Sequence, residues 1–233
     1  MEFQSPLIKG KLINRYKRFF ADVELENGDI VTAHCPNTGS MKTCRDEGAT
    51  VYLLHNPSPT RKLAYTWELT ETYGGFILIN THRPNKIVED AILNNEIAEL
   101  KGYADLRKEV KYGEKSRIDL LLENHPSSPD CYVEIKNVTL KDGDTAIFPD
   151  SKTERGTKHL LELEKMAANG FRAVIFFLVN RPDVSSFDVA REIDTVYCAT
   201  FDKVIHNDVE VLVYQTRITT SEISINKSLP LPI

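Results

Sequence analysis

Apolar and polar residues alternate strictly in residues 65–70 (YTWELT), the pattern of a half-buried antiparallel strand. Similar short patterns fill the first eighty residues, separated by turn signals such as ENGD, PNTG and GG. They predict strands at residues 7–13, 19–25, 30–35, 50–54, 65–70 and 76–80. Helical periodicity is nearly absent there. We therefore expect a small β-barrel, and an OB-fold fits best because OB barrels have about five strands and commonly bind oligonucleotides.

The pattern changes after residue 82. Residues 85–100 (NKIVEDAILNNEIAEL) place apolar side chains among charged ones at helical spacing, which predicts a helix. The later patterns predict strands at 107–112, 116–122, 131–138, 172–179 and 209–216, and helices at 153–168 and 194–204. The strongly apolar strand at 172–179 is expected to be buried and parallel to its neighbour. The chain is thus predicted to have an N-terminal OB-fold-like domain, residues 1–82, and a C-terminal α/β domain, residues 83–233.

Composition narrows the class of protein. The chain has 233 residues, 41% of them hydrophobic, which is enough to form buried cores. Its longest apolar run, residues 173–179, is too short to cross a bilayer, and the N-terminus MEFQSPL lacks the layout of a signal peptide. We therefore expect a cytoplasmic protein that is not in a membrane. Four cysteines without CxxC spacing predict reduced thiols rather than a zinc site or disulfides.

The net charge of −5 is not typical of a nucleic-acid-binding protein, which usually carries a basic patch. The charge is uneven, however. Residues 1–80 carry nine basic and nine acidic side chains, so all of the excess negative charge lies in the remainder. A local basic face is compatible with this distribution.

Three residues carry the clearest candidate chemistry. The breaker-rich segment HPSSPD joins strands 116–122 and 131–138 into a predicted hairpin. Glu134 and Lys136 share one face of the second strand, since side chains alternate there. With Asp119 across from them, two carboxylates can hold Mg²⁺ or Mn²⁺, the remaining positions going to water and substrate phosphate. Lys136 could orient or activate the attacking water, or stabilise charge on the phosphate.

The bare pattern is not specific, because acidic-x-Lys arises easily in a charged chain. Two further copies, Glu99-Leu100-Lys101 and Asp150-Ser151-Lys152, occur at a predicted helix end and in a predicted loop, where the strand geometry is missing. The alternative for Glu134 and Lys136 is an ion pair on a solvated strand face.

Asp119 followed by Glu134-x-Lys136 on a hairpin resembles the PD-(D/E)xK nuclease superfamily. The predicted order of helix, three strands, helix and strand matches the core of that superfamily, and Ile118 in place of proline departs from its motif. The resemblance implies metal-dependent phosphodiester cleavage by Asp119, Glu134 and Lys136, with a metal held by Asp119, Glu134 and Ile135. Glu96 or Glu99 could supply a third carboxylate, although solvated helix charges explain both.

Other polar residues are candidates for contact with nucleic acid. Arg155 and His159 share a helix face and could touch phosphate or orient the water, although a surface arginine and a helix-face histidine explain both equally well. Lys111, Lys115 and Arg117 lie near the hairpin, and phosphate contacts need cations but little geometry. The segment NRYKRFF interleaves Arg15, Lys17 and Arg18 with aromatics, as single-strand-binding proteins do. The loop HCPNTGSM around Asn37 could present main-chain N–H groups to an anion, but a plain turn uses the same residues.

A closer resemblance runs nearly the length of the chain. The segments LIKGKLINRYKRFFADV, HCPNTGSM, TWELT, EVKYGEKSRIDLLL, CYVEIKNVTL and FPDSKTERGTKHLLEL resemble the sugar fermentation stimulation protein A (SfsA) family. The resemblance implies an OB-fold joined to a PD-(D/E)xK domain, nonspecific DNA binding, and a link to the regulation of sugar-metabolism genes. The acidic and lysine residues of the family fall on Asp119, Glu134 and Lys136.

Three functions follow from these residues. The first is a Mg²⁺- or Mn²⁺-dependent nuclease acting on DNA, with single strands among its substrates. The second is a noncatalytic, nonspecific DNA-binding regulator that retains a nuclease fold, since fold alone does not establish function. The third is an RNA- or nucleotide-directed hydrolase that uses the same site. The sequence leaves the oligomeric state open, a homodimer included.

Overall fold

The N-terminal part of the chain folds into a closed β-barrel, as the strand patterns predict. The computed structural model describes residues 1–113 and 116–231. The first six strands are β1 (Ile8–Tyr16), β2 (Phe20–Leu25), β3 (Ile30–His34), β4 (Thr50–His55), β5 (Tyr65–Thr72) and β6 (Gly75–Leu78). They follow the order β3-β2-β1-β4-β5-β6, and a short parallel pairing of β3 with β5 closes five of them into a barrel. The fully buried Trp67 packs in its core.

The C-terminal part is an α/β domain built on a second six-stranded sheet. Its elements are α1 (Pro84–Leu93), a 3₁₀-helix (Ala98–Leu100), β7 (Asp105–Tyr112), β8 (Ser116–Glu123), β9 (Cys131–Val138), β10 (Lys141–Asp142), β11 (Thr145–Phe148), α2 (Glu154–Ala168), β12 (Arg172–Val179), β13 (Ser186–Val189), α3 (Thr195–Ile205), β14 (Val209–Ile218) and β15 (Ile223–Ser228). The sheet order is β15-β14-β12-β9-β8-β7, and β12 is parallel to both β9 and β14. The predicted buried parallel strand is therefore confirmed.

Alternating side chains of β12 explain how the sheet is covered on both faces. Val174, Phe176 and Leu178 pack with α1 and with barrel residues, whereas the intervening side chains pack with α2 and α3. Burial on both faces is what a near-continuous apolar strand such as β12 predicts.

The predicted helix at residues 85–100 is wrong at residues 94–97, which separate α1 from the short 3₁₀-helix at 98–100. Helix α1 ends at Leu93, and Asn95 then has a φ of 58°. Asparagine adopts this left-handed conformation more easily than most residues, so the Asn94-Asn95 pair ends the helix although the apolar spacing continues. The sequence pattern also missed β10, β11, β13 and β15. The first three are only two to four residues long.

Two observations concern the cysteines and the membrane-spanning segments that composition addressed. All four cysteines are free and buried. Across residues 1–113 and 116–231, none of the helices combines the length and apolar character needed to cross a membrane.

Arg181 ties the barrel to the α/β domain. It is only 1% exposed, and its guanidinium donates to Thr43 Oγ1 of the barrel domain at 2.9 Å. It also donates to both carboxylate oxygens of Asp183, at 2.7 and 2.8 Å, and to the main-chain oxygen of Thr139. Nearby, the Ser40 N–H donates to Asp150 Oδ2 at 2.7 Å. Polar contacts between the domains are therefore specific and at least partly buried.

This junction predicts a defined acid sensitivity. Burial raises the pKa of Asp183, but hydrogen bonds and charge from Arg181 and Lys141 outweigh burial and lower the pKa to about 2, from an ordinary 3.8. A carboxyl whose pKa falls on folding stabilises the protein above its unfolded pKa, and that stabilisation is lost as pH falls through the folded pKa. We expect the free energy of unfolding to fall less steeply between pH 4 and pH 2 in Asp183→Asn than in wild type, measured by urea denaturation. Equal slopes would contradict this.

Candidate active site

Asp119 and Glu134 lie opposite each other where strands β8 and β9 separate. The antiparallel ladder pairs Leu122 with Cys131, Leu121 with Tyr132 and Leu120 with Val133, and it ends there. Continuing this register would pair Asp119 with Glu134. Instead, Asp119 Oδ2 accepts a hydrogen bond from the Ile135 N–H at 2.7 Å. The carboxylate thus replaces a main-chain partner at the end of the ladder, which fixes it beside β9.

Glu134 and Lys136 point to the same side of β9, as their spacing predicts. Lys136 Nζ donates to Glu134 Oε1 at 2.7 Å. The side chains are 4% and 12% exposed, and β9 is flanked by β8 and β12. This burial does not fit the alternative of a solvated surface ion pair.

His159 of α2 completes the contacts of the same carboxylate oxygen. Its Nδ1 contacts Glu134 Oε1, and Arg155 Nε donates to its Nε2 at 3.4 Å. The imidazole therefore bridges Arg155 and Glu134. His159 is 5% exposed. The sequence interpretation placed His159 among phosphate contacts, whereas the structure places it under Glu134, and only Arg155 of that pair is exposed.

The other oxygen of Glu134 has no partner. Within the part of the chain that the structure describes, Glu134 Oε2 is buried and makes no hydrogen bond. Burial and then the charge of Glu134 raise the pKa of Asp119 to about 6. Burial also raises the pKa of Glu134, but His159 and Lys136 outweigh burial and leave the pKa below its ordinary value. A buried and a half-buried carboxyl group therefore lie close together with one oxygen of Glu134 uncompensated, an arrangement that a cation would stabilise.

The available donors suit a hard cation that keeps water ligands. Among residues 1–113 and 116–231, no group of three or more His, Cys, Asp and Glu side chains is arranged to hold a metal. A metal here would bind Asp119 and Glu134, and Ile135 could add only a main-chain oxygen because its side chain has no donor atom. An all-oxygen set that leaves positions open is typical of Mg²⁺ and Mn²⁺.

Helix α1 contributes a residue that the sequence interpretation missed. Asn85 Nδ2 donates to Asp119 Oδ1 at 2.8 Å, so both oxygens of Asp119 are held. The suggested third carboxylates lie elsewhere: Glu99 accepts from Tyr214 at 2.8 Å, and Glu96 is exposed beside Asn94. The signal that the sequence offered for Asn85 was its place directly after Pro84, at the start of a predicted helix.

Two further buried polar groups surround the site. Tyr112 and Glu162 each have a side-chain oxygen that is buried and makes no hydrogen bond within the described residues. Burial, followed by the charges of Glu134 and Glu162, raises the pKa of Tyr112. On α2, Arg155, His159 and Glu162 follow one another at four and three residues, so they lie on one helix face. That spacing could have identified Glu162 from the sequence.

The candidate nucleic-acid contacts of the barrel divide into two kinds. Arg15 Nη2 donates to the main-chain oxygens of Asn37 and Gly39 at 2.7 and 3.2 Å. The Asn37 amide, 5% exposed, is used inside the same loop and to Ile79. Both residues therefore shape the loop. Lys17 and Arg18 take positive φ values of 49° and 63°, and Arg18 is exposed beside this loop.

On the other domain, Lys111 and Arg117 are exposed partners across β7 and β8. Lys111 lies on β7 and Arg117 on β8, the strand that also carries Asp119. Lys115 lies outside the described residues.

Family models match both parts of the chain. The sugar fermentation stimulation protein RE domain matches residues 82–222, and the SfsA N-terminal OB domain matches residues 13–79. A sugar fermentation stimulation protein homolog of Marinomonas sp. (strain MWYL1) is 50% identical over 232 residues, covering 99% of this chain and 90% of that protein. The homolog of Geobacter metallireducens is 49% identical over 231 residues and covers 99% of each chain.

One solved structure is similar over the whole chain. It is described as the structure of Pyrococcus furiosus SfsA in complex with Ca²⁺, and it is 29% identical, with a TM-score of 0.89. The match covers 100% of this chain and 98% of that one. The similarity therefore includes both domains.

Proposed function

Because the chain belongs to the sugar fermentation stimulation protein family, we propose that it is a DNA-binding protein whose α/β domain hydrolyses phosphodiesters with a divalent metal. Catalysis is assigned to Asp119, Glu134 and Lys136. DNA is bound without sequence preference, by phosphate contacts, and the barrel holds the strand. A cytoplasmic location suits this role.

The unpartnered, buried Oε2 of Glu134 beside Asp119 is the observation that carries the proposal. An uncompensated buried carboxylate oxygen costs free energy in any fold, so its presence favours a functional reason. Asp119, Glu134 and the main-chain oxygen of Ile135 would hold Mg²⁺ or Mn²⁺. Such a metal, when bound, polarises a phosphoryl oxygen and lowers the pKa of water. The description of the Pyrococcus furiosus relative with Ca²⁺, another cation that prefers oxygen ligands, supports this choice.

The protein's own groups have distinct roles in this proposal. Lys136 lies with its ammonium group 2.7 Å from Glu134 Oε1, where it can donate to a phosphate oxygen as negative charge grows. Asn85 and the Ile135 N–H orient Asp119, and His159 orients Glu134. Arg155, Lys111 and Arg117 supply exposed cations for the phosphate backbone.

A substrate panel tests the activity. Purified protein is incubated with single- and double-stranded DNA and with RNA, in Mg²⁺, Mn²⁺, Ca²⁺ or EDTA, alongside a Lys136→Ala variant purified identically. We expect cleavage of DNA in Mg²⁺ or Mn²⁺ that EDTA abolishes and that Lys136→Ala lacks. Equal background from both proteins would remove the catalytic assignment. Cleavage of RNA alone would identify an RNA-directed hydrolase instead.

The second candidate is a noncatalytic DNA-binding regulator of sugar-metabolism genes. Glu134 Oε1 already accepts from Lys136 and contacts His159, so this half of the carboxylate is satisfied without a metal. DNA binding that weakens steeply with salt, is the same in EDTA and Mg²⁺, and leads to no cleavage would favour the regulator.

His159 is expected to act by positioning Glu134. Residues that hold a metal-binding side chain typically contribute about 10- to 100-fold to metal affinity or activity. We expect His159→Ala to weaken Mn²⁺ binding by roughly that factor in calorimetric titration and to slow cleavage, with partial rescue by His159→Gln. His206→Ala, which changes an exposed histidine of the same domain, is the matched control. Unchanged Mn²⁺ affinity in His159→Ala would exclude this positioning role.

A further inference from the structure

A cationic pocket lies on the outer wall of the barrel, apart from the carboxylate pair. Its volume is about 560 Å³. The floor comes from three adjacent strands, because Thr66 of β5 pairs with His34 of β3 on one side and with Leu54 of β4 on the other. Leu54 gives the floor an apolar surface. The pocket is thus built on the barrel framework.

The rim carries basic side chains from two segments of the chain. Arg61 and Lys62 come from the loop between β4 and β5, and His82 and Arg83 from the segment that leads to α1. In residues 1–113 and 116–231, neither Arg61, Lys62 nor His82 forms an ion pair. A protein with a net charge of −5 therefore places two cations without an ion pair in the described residues, Arg61 and Lys62, beside one pocket.

Among the described residues that line the pocket, the acidic side chain is Glu68, and it is paired with Arg83. Glu68 is fully buried and accepts from Asn80 at 3.0 Å and from Arg83 Nε and Nη2 at 3.1 and 2.6 Å. These bonds fix the Arg83 guanidinium and leave its Nη1 available. A buried glutamate thus serves to hold a cation at the pocket rather than to repel an anion.

The pocket is joined to the carboxylate site by one short segment. Arg83 lines the pocket, and Asn85, two residues later, donates to Asp119. Two peptide units span at most about 7.6 Å between Cα atoms. The pocket and Asp119 are therefore both contacted from one short backbone segment.

We propose that this pocket binds a nucleotide through its phosphate, with Arg61, Lys62, His82 and Arg83 as phosphate contacts and with Leu54 and Thr66 beneath the base or sugar. The ligand is a nucleotide of a single DNA strand that continues to Asp119. A free mononucleotide has the same chemistry and is distinguished by experiment. Only the continuation to Asp119 rests on the proposed function; the binding of a nucleotide phosphate does not.

Binding in EDTA tests the pocket separately from cleavage. The probe is fluorescein-labelled oligodeoxythymidylate of about twelve nucleotides, within the usual site sizes of OB-folds. The variant is Arg61→Ala/Lys62→Ala, whose two side chains are exposed on a loop, and the matched control is Lys165→Ala/Lys227→Ala, which removes two exposed cations elsewhere. Thymidine 5′-monophosphate and thymidine are titrated in parallel.

We expect the Arg61→Ala/Lys62→Ala variant to bind the oligonucleotide on the order of tenfold more weakly, and its log–log salt slope to fall by about 1.4, while the control behaves like wild type. If the protein cuts DNA, KM rises and kcat is retained, because the lost contacts act equally on ground and transition states. Monophosphate binding that requires Arg61 and Lys62, without strand binding, assigns the pocket to free nucleotides.

Equal oligonucleotide affinity and equal salt slope in the variant and wild type would contradict the assignment of the pocket as a nucleotide site. The nuclease proposal would be unaffected. If wild type bound neither the oligonucleotide nor the monophosphate, the assignment of the pocket as a nucleotide site would also be wrong. Normal pocket-dependent binding without metal-dependent cleavage would instead remove only the catalytic assignment.

Discussion

Replacing Glu134 with glutamine is expected to lower metal-dependent DNA cleavage on the order of a thousandfold, comparable to the loss of one preorganised electrostatic group in other active sites. The substitution keeps the size of the side chain and an oxygen that can accept from Lys136. It removes the charge that would attract a cation to the unpartnered Oε2. The measurement is the single-turnover cleavage rate in Mn²⁺, with Mn²⁺ affinity measured by calorimetry.

Asp119→Asn should have an effect of similar size, and the double variant should be no worse than either single one, because groups that act as a unit are not additive. Glu96→Gln is the matched control, since this glutamate is exposed and belongs to the same domain. Asp119→Asn should not be destabilised, since burial and the charge of Glu134 already disfavour the ionised form of Asp119 and raise its pKa. Full cleavage by Glu134→Gln would mean that any nuclease activity resides elsewhere.

The largest effect on stability is expected at Arg181. Arg181→Ala leaves Asp183 without its main cation, removes donors from Thr43 and Thr139, and opens a cavity between the domains. Loss of one partner of a buried ion pair typically costs about 3–5 kcal/mol. For a chain of this size the melting temperature should fall on the order of 10 °C, measured by calorimetry.

Two variants show whether the buried charge is the cause. Arg191→Ala breaks an exposed pair with Asp202 of the same residue types, and it should cost less than about 1 kcal/mol. Arg181→Met/Asp183→Leu removes both charges and should recover part of the loss, since no buried carboxylate is left uncompensated. A melting temperature of Arg181→Ala equal to that of wild type would show that this contact does not hold the domains together.

Local patterns were enough to predict most of the fold. Strict alternation in residues 65–70 predicted strand β5, although Glu68 and Thr70 on its polar face are buried as well. The apolar residues 172–179 predicted a buried strand because both faces of β12 are covered. Residues 94–97 could not be predicted this way. Their apolar spacing is helical, and the interruption depends on the backbone conformation of Asn95.

The candidate site was predictable where it depended on one hairpin. Glu134 and Lys136 share a strand face by simple alternation, and a hairpin register brings Asp119 opposite Glu134. The contacts of Asn85 and His159 were not predictable, because they depend on how α1 and α2 dock on the sheet. Arg15 shows the same limit: its neighbours suggest a binding arm, while its three main-chain acceptors are set by the folded loop.

The three-residue segment from Arg83 to Asn85 has a thermodynamic consequence. It contacts Glu68 on the barrel and Asp119 on the sheet, so the pocket and the carboxylate site are joined by this backbone segment. If a cation at Asp119 changes the affinity of the pocket for its ligand by some factor, the ligand must change the affinity for the cation by the same factor. Linkage between the two domains would then be reciprocal, and measuring it in either direction gives the same coupling free energy.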